Sequence, residues 1–226
     1  MARSRRPCAG RRFASPRRLI PTLQPLARTD LPADTLSLAR FLIGKILVRT
    51  IASHDSNGRA SVAPELLARI VETEAYPPND PASHAFRGET ARNRAMYLER
   101  GFSYVYFIYG TAYCLNVASE TPGVGAAVLV RAGEVLAGRD EIARLRGGDS
   151  GRDLLRGPGR LCAGLAVDRA LDGIDLCRGS GPLWLACGEA RAELGTSPRI
   201  GLTRAPEPAW RFFERGNPLV SGRRPS

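Results

Sequence analysis

The segment Val71-Glu72-Thr73-Glu74-Ala75-Tyr76 places two carboxylates and a phenol at alternate positions. In a strand, residues two apart share a face, so Glu72, Glu74 and Tyr76 would point one way and Val71, Thr73 and Ala75 the other. A carboxylate so placed can take a proton from water, and a ring beside it can hold a flat or cationic group. Downstream come His84, Arg92-Asn93-Arg94 and an aromatic-rich run from Tyr104 to Asn116, a density of acids, rings and amides that a core does not need. Spacing alone leaves two readings open. One is a site on the carboxylate face; the other is an ordinary half-buried strand with its aliphatic side inward and its carboxylates in water. Taken singly, Tyr76 and Tyr106 read as core residues at strand ends, His84 as a surface loop histidine and Asn116 as a buried structural amide.

The wider pattern changes the weighing. IVETEAY at 70–76, Ser83-His84, Arg92-Asn93-Arg94 with Met96, the run 104–116, VLVRA at 128–132 and GPGRLC at 157–162 follow one another in a set order and spacing. Together they resemble the alkyladenine (3-methyladenine) DNA glycosylase family, over about Arg40 to Val220. The resemblance implies an α+β fold: a single domain with a curved, mostly antiparallel sheet, flanking helices and a protruding β-hairpin that inserts into DNA. It implies base-excision repair, in which alkylated or damaged purines are flipped out of double-stranded DNA and the N-glycosidic bond is hydrolysed, leaving an abasic site. By position, Glu74 takes the role of the catalytic carboxylate that activates water. Arg131 would keep it ionised and help hold that water. Tyr76 falls on one side of the flipped base, His84 and Tyr106 on the other, and Asn116 at the pocket amide that crowds the 2-amino group of guanine. Tyr109 matches the hairpin-tip residue that fills the vacated stack, although Thr111 stands where a larger apolar residue is common. No role is assigned to Glu72, which reads as solvated or ion-paired. Arg92, Arg94 and Arg160 are candidates for phosphate contacts.

Composition bounds the rest. A chain of 226 residues and 24.4 kDa with 43% hydrophobic content fits one large domain or two small ones, and one domain is expected. No apolar run reaches bilayer length, so no membrane partner is expected. Five cysteines without a CxxC pair and only two histidines, His54 and His84, argue against a disulfide framework or a metal centre. The expectation is therefore no metal, nucleotide or redox cofactor, and a monomer in the cytoplasm, at the bacterial nucleoid, not secreted. The formal charge of +11 suggests a polyanionic partner, but residues 1–29 carry eight arginines and no acids, which leaves +3 on the remainder. Residues 1–30 thus read as a disordered basic tail before a glycosylase domain at 31–226; an Arg-rich leader is the other reading of the tail. Lys45 is the only lysine beside 32 arginines. Placed at a helix–strand junction, it is poorly sited to form a Schiff base, so a monofunctional reaction is expected unless the terminal amine acts.

The elements that must position these residues can be read in outline. Asp34 or Thr35 should cap a helix through 43, followed by a strand over 46–51, a turn at His54–Gly58 and a returning strand over 66–76 that carries the glutamates. A functional loop is expected from 77 to 94, then a hairpin of 104–109 and 112–119 about Gly110-Thr111, and a strand over 125–132. Helices are expected at 136–145 and 160–167, and late strands at 184–186, 199–203 and 210–213. Two competing functions remain open at this point. A non-catalytic DNA-binding relative would keep the hairpin without a working base, and a nucleoside hydrolase would keep paired carboxylates without a use for Tyr109.

Overall fold

A computed structural model describes residues 23–51, 53–54, 60–61, 65–148, 151–202 and 208–222. Helix α1 (Thr35–Leu42) starts where Asp34 accepts a hydrogen bond from the Ser37 amide at 2.8 Å, and it buries Leu38, Ala39 and Leu42. Strands follow as β1 (Ile46–Thr50), β2 (Ser53–His54), β3 (Ala60–Ser61), β4 (Glu65–Tyr76), β5 (Ser103–Ile108), β6 (Ala112–Ala118) and β7 (Ala127–Ala137). Helices α2 (Arg139–Leu145) and α3 (Pro158–Gly164) come next, and β8 (Leu183–Ala186), β9 (Leu194–Ser197) and β10 (Arg211–Glu214) are the last strands among the described residues.

The main sheet runs β5-β6-β7-β4-β1-β8, with β10 joining β4 and β9. It is antiparallel and curled into a half-barrel, with a few helices beside it in a single domain, as expected of the α+β class. β4 lies at its centre: β7 pairs along one edge, while β1 takes the first half of the other edge and β10 the second. Leu66 through Ala75 are consequently all buried, which excludes the half-exposed strand. One face of β4 meets α1, where Thr73 donates to the Ala39 carbonyl at 2.8 Å. The register against β7 shifts on both sides of Glu72, a bulge in the stretch that carries the glutamates.

Several expectations need correction. Ordered structure starts before Leu31: Pro25 bridges to Ala186, Leu26 is buried, and Arg28–Asp30 forms a 3-10 turn. Residues 1–22 of the expected tail lie outside the described residues, as does the Asn57-Gly58 turn. The helix expected from 136 starts at Arg139, because Leu136 and Ala137 still belong to β7 and Gly138 turns the chain at φ 75°. The strand expected over 199–203 is absent from its described part, residues 199–202. There Gly201 has φ 82° and the Ile200 amide donates to the Glu74 carboxylate instead of a strand partner. The strand beside β10 is β9, slightly earlier in the chain. No helix among the described residues is long and apolar enough to cross a membrane.

Candidate active site

Glu72 and Glu74 share a face of β4, and both side chains are fully buried. Their surroundings differ. Glu72 accepts from Arg131 Nε at 2.9 Å, Arg211 Nε at 2.7 Å, the Ser221 amide at 2.6 Å and Ser221 Oγ at 2.9 Å. Of the two readings for this residue, the ion-paired one describes its environment and the solvated one does not. A carboxylate has about four acceptor positions, so Glu72 is saturated. Glu74 accepts from Tyr76 Oη at 3.1 Å and the Ile200 amide at 2.7 Å, and pairs with Arg131 Nη1 at 3.1 Å. Three protein donors leave it capacity for one more.

Arg131, on β7, is the link between the two acids. Burial works to lower its pKa, but Glu74 and Glu72 outweigh that and hold it above the ordinary guanidinium value. Tyr76 closes the other side of Glu74. Burial first, then the Glu74 charge, push its phenol above the usual tyrosine range, so at neutral pH it remains a proton donor to the carboxylate.

These groups border a cavity of about 330 Å³ whose lining includes Tyr76, His84, Tyr104, Tyr106, Tyr109, Cys114, Asn116 and Arg131. Glu74 lies immediately behind Tyr76 and Arg131. The volume falls in the range usual for small-molecule sites, and the lining combines rings with a few directed polar groups. His84 meets Tyr106 edge to face, with ring centroids 4.5 Å apart, and its Nδ1 is 2.9 Å from Tyr104 Oη. Partial burial, with Arg92 adding to it, lowers the His84 pKa from 6.5 and favours a neutral imidazole. Tyr104 and Tyr106 stack at 5.5 Å. Burial pushes Tyr104 up to about 12. Asn116, on β6, is buried and donates to the Tyr104 carbonyl at 3.0 Å.

β5 and β6 pair from Ser103↔Val117 to Ile108↔Ala112, and the Thr111 amide bonds back to the Ile108 carbonyl at 3.1 Å. Tyr109 sits in this turn with φ 51°, a conformation unusual for a ring-bearing residue, and 86% of its surface is exposed. Of the candidate phosphate contacts, Arg92 donates to the Phe107 carbonyl and Arg160 lies 3.7 Å from Asp153; both are exposed, as is Arg94. Lys45 lies between α1 and β1, as expected, donates to the Gly188 carbonyl at 2.8 Å and covers the Phe41 ring.

Three contributors were not singled out from the sequence. Arg211 and Ser221 complete the cage around Glu72, and Arg199 packs over the Tyr76 ring at 4.5 Å. The only signal was Arg211 itself, a charge inside an otherwise apolar late strand. The seven candidates Glu74, Arg131, Tyr76, His84, Tyr106, Asn116 and Tyr109 all line the cavity or, for Glu74, back directly onto its lining.

Comparison with known proteins identifies the family of this chain. The family model for methylpurine-DNA glycosylase matches residues 29–218. A protein of Mesorhizobium japonicum is 51% identical over 88% of this chain and 91% of its own length. One from Paraburkholderia phytofirmans is 47% identical over 88% and 89%, and one from Methanocella arvoryzae 44% over 88% and 97%. Each of the three carries the name "Putative 3-methyladenine DNA glycosylase". With a single match running from the first 3-10 turn to beyond β10, the chain belongs to the methylpurine-DNA glycosylase family, DNA-repair hydrolases that act on N-glycosyl bonds.

Proposed function

We propose that the chain removes alkylated or otherwise damaged purines from double-stranded DNA, with Glu74 activating the attacking water. The observation that carries this reading is the Glu74 environment: a buried carboxylate held by Arg131, Tyr76 and the Ile200 amide, directly behind the lining of an aromatic cavity. As the damaged base leaves, positive charge grows on the sugar. A carboxylate close to C1′ stabilises that charge and takes a proton from water. Tyr76 on one side and His84 with Tyr106 on the other hold the extruded base, and N-alkylated purines gain from such faces because they carry positive charge. Asn116 disfavours guanine through its 2-amino group. Tyr109 occupies the gap in the duplex, and one copy of the chain suffices. Lys45 has its amine tied to Gly188 and Phe41 and is absent from the cavity lining, which supports release of the base without strand cleavage.

Glu74→Gln tests the assignment. Binding to a duplex with one lesion should be retained, and single-turnover base release should fall on the order of a hundredfold or more. The product strand of the unaltered enzyme should be intact but alkali-labile. Near-normal release by the variant would remove Glu74 from the mechanism.

A further inference from the structure

Behind the Tyr76 ring lies a second pair of buried charges. Arg199 and Asp80 form a two-pronged ion pair, with side chains 1% and 3% exposed. The guanidinium is fixed between rings, 4.5 Å from the Tyr76 centroid and 5.1 Å from that of Trp210, and it also donates to the Ala75 carbonyl at 3.0 Å. Tyr76 lines the cavity, whereas Arg199 and Asp80 do not. The cation therefore covers a ring face turned away from the space where a base would lie.

We propose that the Asp80–Arg199 pair sets how strongly this site prefers positively charged purine lesions over neutral ones. The inference rests on Tyr76 being a ring that stacks on the extruded base. An aromatic face attracts a cation through its electron-rich surface, and a second cation on the opposite face opposes that attraction. Asp80 offsets the Arg199 charge, so Tyr76 stays attractive to a cationic base while keeping the rigid support of the guanidinium. Arg131, which does line the cavity, is already shared between Glu74 and Glu72. Losing Asp80 removes one negative charge from behind the ring, so a cationic base would meet more positive charge across it. At that separation and an intermediate effective dielectric, the repulsion is worth on the order of tenfold in affinity. A neutral base of the same shape would not feel it.

The test uses two duplexes, one with 7-methylguanine, which is cationic, and one with 7-deaza-7-methylguanine, its neutral isostere. A 2′-fluoro sugar on both blocks base loss during binding. The quantity read is the ratio of the two affinities within each variant, in which a uniform structural loss cancels. Asp80→Asn should shift this ratio about tenfold toward the neutral base. Arg199→Gln, which leaves the carboxylate uncompensated, should shift it several-fold toward the cation, and it keeps the proposal testable if Asp80→Asn does not fold. Tyr76→Leu is the control for the underlying reading. Unchanged ratios in both charge variants, with Tyr76→Leu weakening both duplexes, would overturn the role of the pair and leave Tyr76 as the stacking ring. No effect of Tyr76→Leu on either duplex would overturn both.

Discussion

Two carboxylates two residues apart on one strand have been given different work by their neighbours. Glu72 meets four donors from Arg131, Arg211 and Ser221, whereas Glu74 meets three and faces the cavity lining. Glu72 is thus the anchor that fixes Arg131, and Arg131 in turn reaches Glu74. Removing one member of a buried, hydrogen-bonded ion pair commonly costs 3–5 kcal/mol, because the remaining charges stay in a low-dielectric interior. Glu72→Gln leaves two guanidinium groups there, and its amide nitrogen cannot accept from Ser221. It should lower unfolding stability by about 3 kcal/mol in a urea titration. A loss under about 1 kcal/mol, combined with a collapse of base release, would instead put Glu72 in the chemistry. At this scale the sequence was informative where partners lie within one motif, as Glu74 and Tyr76 do. Of remote partners it indicated only Arg131 for Glu74, through the family resemblance, and was silent on others: Arg211 is 139 residues from Glu72, and Arg199 is 119 from Asp80. No periodicity links such pairs; only the curl of the sheet does.

At the scale of elements, the strands that carry the site were legible because their patterns are local. β4, β5 and β6 fall within a residue of their expected bounds, β7 runs on to Ala137, five residues past its expected end, and α1 begins at the cap its Asp34 implies. The misreadings share a cause. Ile200 and Leu202 about Gly201 look like a strand by alternation, yet the backbone there serves Glu74, and β9 is a strand only because β10 pairs with it. The β5–β6 hairpin has the most direct functional test. Its tip spends backbone strain to present Tyr109, which a solvent-exposed ornament would not require. If that ring fills the space of an extruded nucleotide, Tyr109→Ser removes a stacking surface worth roughly 1–3 kcal/mol per base. Excision from a fully paired duplex should slow most, and excision opposite a missing base should slow less, since little unpairing energy remains to be offset there. Equal losses on both duplexes, measured in single turnover, would assign Tyr109 to the hairpin's own structure.

Over the whole molecule, the distribution of charge matters more than its total. Arg28 does not belong to a free basic segment: it pairs with Asp175 at 2.7 Å and with Glu99 at 3.4 Å, donates to the Arg100 carbonyl and covers the Phe102 ring. The arginines that face no acid in their own stretch are the seven within residues 1–22, which leaves a formal +4 on the rest of the chain. Many of the remaining cations are consumed internally, as Arg69 is by Glu134 and Glu214 and Arg199 by Asp80. Affinity for undamaged DNA, which depends on phosphate neutralisation and counterion release, should therefore draw heavily on the first 22 residues. Among the described residues, by contrast, the cavity and its rings draw on residues 76 to 202 alone. Deleting 1–22 should weaken binding to undamaged duplex and flatten the dependence of log affinity on log salt by about one unit for each arginine that meets a phosphate. Base release from a lesion duplex at saturating enzyme should change by less than about twofold, because chemistry after binding does not involve long-range phosphate contacts. The two measurements separate the possible roles of the segment. A large fall in the saturated rate of a folded truncation would mean that residues 1–22 reach the cavity, and an unchanged salt slope would mean that the body alone supplies the phosphate contacts.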